Sequence, residues 1–292
     1  MNTNAPQAWF SNLGIEINSL PRVAFSIFGF EIYWYAVIIF FGIIAALAYV
    51  VWAAKKTGQK HELYLDYFVW AFLSSMVFGR LYYVIFSTDA SVRGSFRDLV
   101  NLRGGGLAIY GVIIGSVISA VIYTKIKKIN FWLFADTAAP ALILGQAIGR
   151  WGNFFNREAY GRFTNNIFAL RYLRSEAFGG VSADILENIV HERGTQYIQV
   201  HPTFLYESIG NFVIFIALNI LRKYKKFDGE IFMYYFLFYG ILRFFVEGIR
   251  IDQLTIGNTS IAISQVLSAV LALMAVGVII FKRKIKKPIA NA

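Results

Sequence analysis

The chain has 292 residues, 57% hydrophobic and only 15% charged, with a mean hydropathy of +0.54 and a formal charge of +11. Soluble domains carry roughly 25% charged residues, so a soluble fold of this length is excluded: it has no interior large enough to hide this much apolar surface. The absence of cysteine also excludes disulfides, thiolate metal sites and a cysteine nucleophile.

In chain order, residues 1–30 are mixed in character, with Pro21 and Gly29. They lack the basic, apolar and small-residue regions of a cleavable signal peptide, and are expected at the outer surface ahead of a first span that stays inserted. Runs of about 20 mostly apolar residues suffice to cross roughly 30 Å of hydrocarbon as helix. They fall at approximately 33–53, 64–86, 107–124, 132–149, 203–221, 230–249 and 259–281. The expected fold is an all-α polytopic membrane protein, a single integral membrane domain over 1–292 with seven transmembrane helices. Between the second and third spans, NLRGGGLAIYGVIIG carries three consecutive glycines, which allow close backbone approach and positive φ. The long connection, Arg150 to Val200, is expected to form a small extracytoplasmic head over 151–201. Gly42, Gly79, Gly111, Gly115, Gly145 and Gly240 are suited to close helix contacts. No internal repeat of the kind found in inverted-repeat transporters is evident.

The positive charge is strongly patterned. All thirteen lysines lie in four clusters, Lys55–Lys60, Lys125–Lys128, Lys223–Lys226 and Lys282–Lys287, which follow the first, third, fifth and seventh spans. By the positive-inside rule that side is cytoplasmic, with the N-terminus outside and the C-terminus inside. The charge therefore reports topology, and no nucleic-acid partner is expected. Only Arg222 and Arg283 accompany the lysines; the other arginines fall in outer segments or the outer halves of spans, with Arg93, Arg97 and Arg103 in one outer loop. Arginine's planar fork grips phosphate or carboxylate through two hydrogen bonds, so an anion is expected on that side. For a single loop arginine, a salt bridge is the simpler reading.

Ionisable groups in hydrocarbon are costly, about 2.5–3.5 kcal/mol at mid-depth on insertion scales, and require a partner or a purpose. YGILRFFVEGIR in the sixth span puts Tyr239, Arg243 and Glu247 on one face, with Arg243 roughly 10 Å below Arg250. Arg80 lies in the outer third of the second span and Arg150 ends the fourth. HPTFLYES opens the fifth, with His201 at the surface and Tyr206 and Glu207 a turn inside. Depth thus places Tyr35, Arg80, Tyr110, Arg150, His201, Glu207, Tyr239, Arg243 and Glu247 in one outer layer, as a polar cavity below the headgroups would require. Mutual neutralisation of Arg243 and Glu247 is the plainer alternative for the acids. Tyr33 and Tyr160 read as interface anchors, and Asp136, near the inner end of the fourth span, as a packing residue.

These segments resemble the prolipoprotein diacylglyceryl transferase family. GRWGNFFNREAYG, Gly149 to Gly161, is similar to its Gly-Arg-x-Gly-Asn-Phe-x-Asn-x-Glu-x-x-Gly signature. HPTFLYES is similar to its His-Pro-x-x-Leu-Tyr-Glu block, and YGILRFFVEGIR to its Tyr-x-x-x-Arg-x-x-x-Glu segment, with GRLYYV and GGGLAIYG in the expected order. The resemblance implies an enzyme of the bacterial cytoplasmic membrane, its active site toward the outer leaflet. Such an enzyme moves the diacylglyceryl group of phosphatidylglycerol to the lipobox cysteine of a preprolipoprotein signal peptide, and glycerol 1-phosphate leaves. No cofactor or metal is implied, since arginines carry the charge and the nucleophilic thiol is the substrate's own. It further implies that Arg150 and Arg243 bind phosphate, while Asn153, Asn156, Glu158 and Gly161 shape the headgroup pocket. Tyr35 and Tyr239 would position lipid, with Glu207 and Glu247 orienting the arginines. Many members carry histidine where this chain has Tyr110, and a phenol is a poor base at neutral pH; Tyr110 is then tuned, or orients substrate, or leaves the proton to another group. His201, at a helix start, is as readily structural. A transporter for an anionic solute would need polar residues through the full membrane depth, whereas the inner halves of the fourth and sixth spans are mostly apolar. An unrelated acyltransferase would release a lysophospholipid instead.

Overall fold

The structure, a computed structural model, describes residues 5–87, 106–178, 180–257, 259 and 261–285. Arg93, Arg97 and Arg103, the first two glycines of the triple-glycine run, and Lys286 and Lys287 lie outside the described residues. Among the described residues seven long helices are present: α1 Trp34–Lys56, α2 Glu62–Phe86, α3 Ile109–Ile126, α4 Phe131–Asn156, α5 Thr203–Arg222, α6 Glu230–Ile249 and α7 Ile263–Ile285. Each is long and apolar enough to cross a membrane, and the chain is a multi-pass membrane protein.

The expectation of an all-helical chain is corrected. Five short strands, β1 Ala8–Phe10, β2 Ile15–Ile17, β5 Leu170–Leu173, β6 Val190–Glu192 and β7 Thr195–Val200, form an antiparallel sheet in the order β2-β1-β5-β7-β6. A separate hairpin, β3 Val23–Ile27 and β4 Phe30–Tyr33, leads into α1 through a turn with positive φ at Phe28 and Gly29. The N-terminal segment and the α4–α5 connection are thus one structure: Ala8 pairs with Tyr172, and Leu170 with Val200. One face of the sheet buries Ala8, Leu170, Tyr172, Ile198 and Val200 against Phe154 of α4 and Phe204 of α5. The fourth helix also runs on through the first half of the signature to Asn156, because Trp151 and Phe154 pack on Phe204 and extend its apolar face into the sheet's core.

The chain folds as two compact units, residues 1–46 with 139–292, and residues 47–138. In the first, α4 lays Gly145, Gly149 and Gly152 against Gly42, Ile39 and Tyr35 of α1. A Cβ at Gly152 would sit 2.7 Å from the Tyr35 ring, so the small-residue stripe lets the two backbones meet. Gly240 brings α6 against α7, where a Cβ would lie 2.7 Å from the Ser268 carbonyl. At the other end of α6, fully buried Glu230 pairs with Arg283 of α7 at 2.5 Å. The second unit is built on α2 and α3, where Gly111 and Gly115 lie against the Phe78 and Ser74 carbonyls, with Tyr64, Tyr67 and Tyr123 around Phe134. Asp136 is buried there.

Candidate functional site

Within the first unit the sheet-side ends of α4, α5 and α6 converge on one carboxylate. Glu207 is 1% exposed. Arg150 of α4 approaches its Oε2 with Nη2 at 2.7 Å, and Arg243 of α6 its Oε1 with Nη1 at 3.0 Å. Arg250, just past α6, comes to 3.8 Å. Arg243 also pairs with Glu247 at 2.5 Å, one turn along its own helix. With Asp252, which pairs with Arg250, three guanidiniums face three carboxylates, two of them deeply buried, so the charges of the cluster balance. The acids hold the forks in place without exhausting their donors, since each guanidinium carries five N–H groups. Such a preorganised cluster suits an incoming anion.

Arg250 was expected only as a marker of depth, yet it completes the cluster. Its Nη2 binds Asp252 Oδ2 at 2.6 Å. Burial works against both charges, but their hydrogen bond and mutual attraction outweigh it, holding Arg250 above and Asp252 below their ordinary pKa values. The sequence signal was available: Arg250 follows Arg243 by seven residues, two turns along the same face.

The signature residues fold back beside this cluster. Arg157 and Ala159 both have left-handed backbones, with φ 54° and 56°, and between them they turn Glu158 toward the last turn of α4. There Glu158 accepts hydrogen bonds from Asn153 at 3.0 Å and Asn156 at 3.2 Å. Asn153 Oδ1 in turn accepts from Arg150 at 3.5 Å. A cavity of about 310 Å³ opens here, lined by Asn153, Glu158, Tyr160, Arg250 and Asp252 among others. Arg157, for which the motif suggested no task, is buried. It ties the N-terminal segment to the sheet through the Leu20 carbonyl and a 2.9 Å pair with Glu176. Arg162 acts through its backbone, donating to the Ile249 carbonyl and accepting from His201 N–H.

Gly161 crosses the end of α6, bridged to Arg250, with its N–H on the His201 carbonyl. A Cβ there would lie 2.8 Å from His201 Cβ and 2.9 Å from the Ile249 carbonyl. Gly161→Ala is therefore expected to cost about 1–3 kcal/mol, as overpacked sites do. A thermal melt in detergent reads this as a lowered Tm, and an unchanged Tm would contradict the packing.

His201 Nδ1 lies 3.3 Å from the Tyr206 hydroxyl, which accepts from Asn166 Nδ2 at 3.0 Å. Burial lowers its pKa. The unfolded chain therefore protonates this histidine first, and stability falls as pH drops below about 6.5. The loss levels off once pH is below the folded value. His201→Gln should flatten that part of a Tm–pH profile, and identical slopes in both proteins would refute the assignment.

The other expected residues are placed as follows. Tyr35 rests on Gly152, within electrostatic reach of Arg150 and Glu158. Tyr239 lies one turn from Arg243 toward the far end of α6 and stacks on Tyr235 at 5.6 Å, outside the ion network. Arg80 and Tyr110 belong to the second unit. There Arg80 is buried, donates to the Gly106 carbonyl at 3.0 Å and lies over the Tyr83 ring, which fixes the start of α3. Gly106 has φ +79°, and a Cβ there would strike that ring. Tyr110, in the first turn of α3, has its ring 6.3 Å from that of Tyr82.

Residues 22–281 match the family model described as prolipoprotein diacylglyceryl transferase. The chain belongs to the prolipoprotein diacylglyceryl transferase family. It is similar to the phosphatidylglycerol–prolipoprotein diacylglyceryl transferase of Finegoldia magna, 43% identical over 272 residues, covering 92% of this chain and 98% of the relative. The protein of the same name from Oceanobacillus iheyensis is 40% identical over 91% of this chain and 89% of its own length. One from Listeria monocytogenes is 40% identical over 94% and 95%. As a member of this family of transferases, the chain is an enzyme.

Proposed function

We propose that the chain transfers the sn-1,2-diacylglyceryl group of phosphatidylglycerol to the lipobox cysteine thiol of a preprolipoprotein signal peptide. The products are a thioether and glycerol 1-phosphate. The observation that carries this reading is the trio Arg150, Arg243 and Arg250 around buried Glu207, an anion site set among membrane-spanning helices. The names of the relatives supply the substrates.

The substrate sulfur attacks the diacylglyceryl carbon that bears the phosphate. A C–S bond forms and the C–O bond breaks, its electron pair passing to the phosphate oxygen. The thiol proton is balanced on the departing phosphate monoester or in water. Arg150 and Arg243 grip the phosphate and stabilise the charge gathering on it, the contribution that usually dominates such steps. Glu207 and Glu247 hold their forks. Asn153, Asn156, Glu158 and Gly161 shape the cavity for the glycerol headgroup, while Tyr35, Tyr239 and His201 line the path of the lipid. The site faces the outer leaflet of the bacterial cytoplasmic membrane. Lysine clusters after α1, α3, α5 and α7 support that orientation, with the N-terminus and the sheet outside.

For Tyr110 we propose a catalytic role through its hydroxyl. Tyr110→Phe is expected to slow transfer about a hundredfold, the lower end of general acid–base contributions; full activity would remove it from proton transfer. The reaction class is tested with headgroup-labelled phosphatidylglycerol and a lipobox peptide. Labelled glycerol 1-phosphate in the aqueous phase is expected, and a labelled lysophospholipid would show acyl transfer instead.

A further inference from the structure

Each helix of the arginine cluster carries a second polar residue one turn away from the sheet. Arg150 is followed inward by Gln146 on α4, Glu207 by Asn211 on α5, and Arg243 by Tyr239 on α6. Asn211 is fully buried, on the stripe Glu207, Asn211, Ile214, Leu218 that packs into the helix core, yet neither its Nδ2 nor its Oδ1 has a hydrogen-bond partner. Gln146 donates to the Tyr235 hydroxyl at 3.0 Å but leaves its own Oε1 unpaired. Tyr235 in turn stacks on Tyr239, one turn nearer the arginines, which links Gln146 to Tyr239. A buried carboxamide unpaired at both ends is costly in an apolar helix core, and apolar residues of similar size would pack there without that cost.

The depth of this tier identifies its ligand. A glycerophospholipid places its ester carbonyls a few bonds below its phosphate, close to the ~6 Å that separate residues four apart on a helix. We infer that Asn211, with Gln146 and Tyr239, receives the ester carbonyls of the diacylglyceryl group while the arginines hold the phosphate. Asn211 Nδ2 donates to an ester carbonyl, and the free hydrogens of Gln146 and Tyr239 satisfy the remaining amide oxygens. Asn211 is thus a positioning residue: with both ends of the glycerol fixed, the carbon between them is aligned for attack by sulfur. This rests on phosphatidylglycerol being the donor.

Dialkyl phosphatidylglycerol keeps the phosphate and headgroup but replaces each ester by an ether, which lacks the carbonyl acceptor. Transfer from diester and diether donors to one lipobox peptide is compared in wild type, Asn211→Leu and Gln146→Leu. The wild type should favour the diester about tenfold in kcat/KM, the effect of one buried hydrogen bond. Asn211→Leu should lose most of that preference by slowing the diester alone. Equal use of both lipids by the wild type would overturn the inference, as would equal slowing of both by Asn211→Leu, the mark of a structural defect. Should Asn211→Leu fail to accumulate, the wild-type ratio and Gln146→Leu decide in the same way. If the wild type consumes neither lipid, the donor assignment itself has failed.

Discussion

Arg243→Ala is expected to lower diacylglyceryl transfer by 10²–10³, about 2.7–4 kcal/mol of transition-state stabilisation, as when a preorganised oxyanion donor is removed. Arg243 links two buried carboxylates, Glu207 at 3.0 Å and Glu247 at 2.5 Å, so its loss removes a phosphate donor and leaves Glu247 short of its closest cation. Arg150→Ala should fall in the same range, because Arg150 is the other direct partner of Glu207 and is tied to the signature through Asn153. Arg243→Lys keeps the charge but not the planar fork, and should recover only part of the rate. Initial rates with equal amounts of inserted protein test this; rates within twofold of wild type for both alanine variants would refute the site.

Glu207→Gln should act first on stability. The carboxylate faces three guanidiniums within 4 Å and is almost wholly buried. Neutralising it leaves those cations to repel one another in an apolar layer, and breaking a buried pair from one side typically costs about 3–5 kcal/mol. A distinct consequence follows if the cluster is an anion site. Free glycerol 1-phosphate should raise the Tm of Glu207→Gln more than that of the wild type, by supplying the missing negative charge. An unchanged Tm in the variant, or equal shifts in both proteins, would contradict this.

The seven helices were legible because an unbroken apolar run of about 20 residues matches the bilayer thickness and exceeds what a buried core helix needs. The polar residues within them were legible too. Arg150, Glu207, Arg243 and Glu247 stand out in hydrocarbon, and helical spacing alone put Tyr239, Arg243 and Glu247 on one face. The sheet was not legible. Its strands are three to six residues long, too short for an alternating pattern, and β1 finds its partner at Leu170–Leu173, far along the chain. Nor could spacing show that Glu207 is the hub. That depends on how α4, α5 and α6 are rotated about their axes, which glycine contacts and side-chain packing decide. The motif gave Arg157 no task for a related reason: it sits among signature residues but points away, into the N-terminal segment. The unpaired carboxamide of Asn211 likewise becomes visible only once its surroundings are known.

The central claim is that this protein moves a diacylglyceryl group from phosphatidylglycerol to a cysteine. The most direct measurement is the mass of a lipobox peptide after incubation with the purified protein and phosphatidylglycerol of defined acyl chains. A gain equal to one diacylglyceryl group is predicted on the cysteine peptide, and none on its Cys→Ser counterpart. A cysteine peptide of unchanged mass, or one carrying a single acyl chain, would contradict the account.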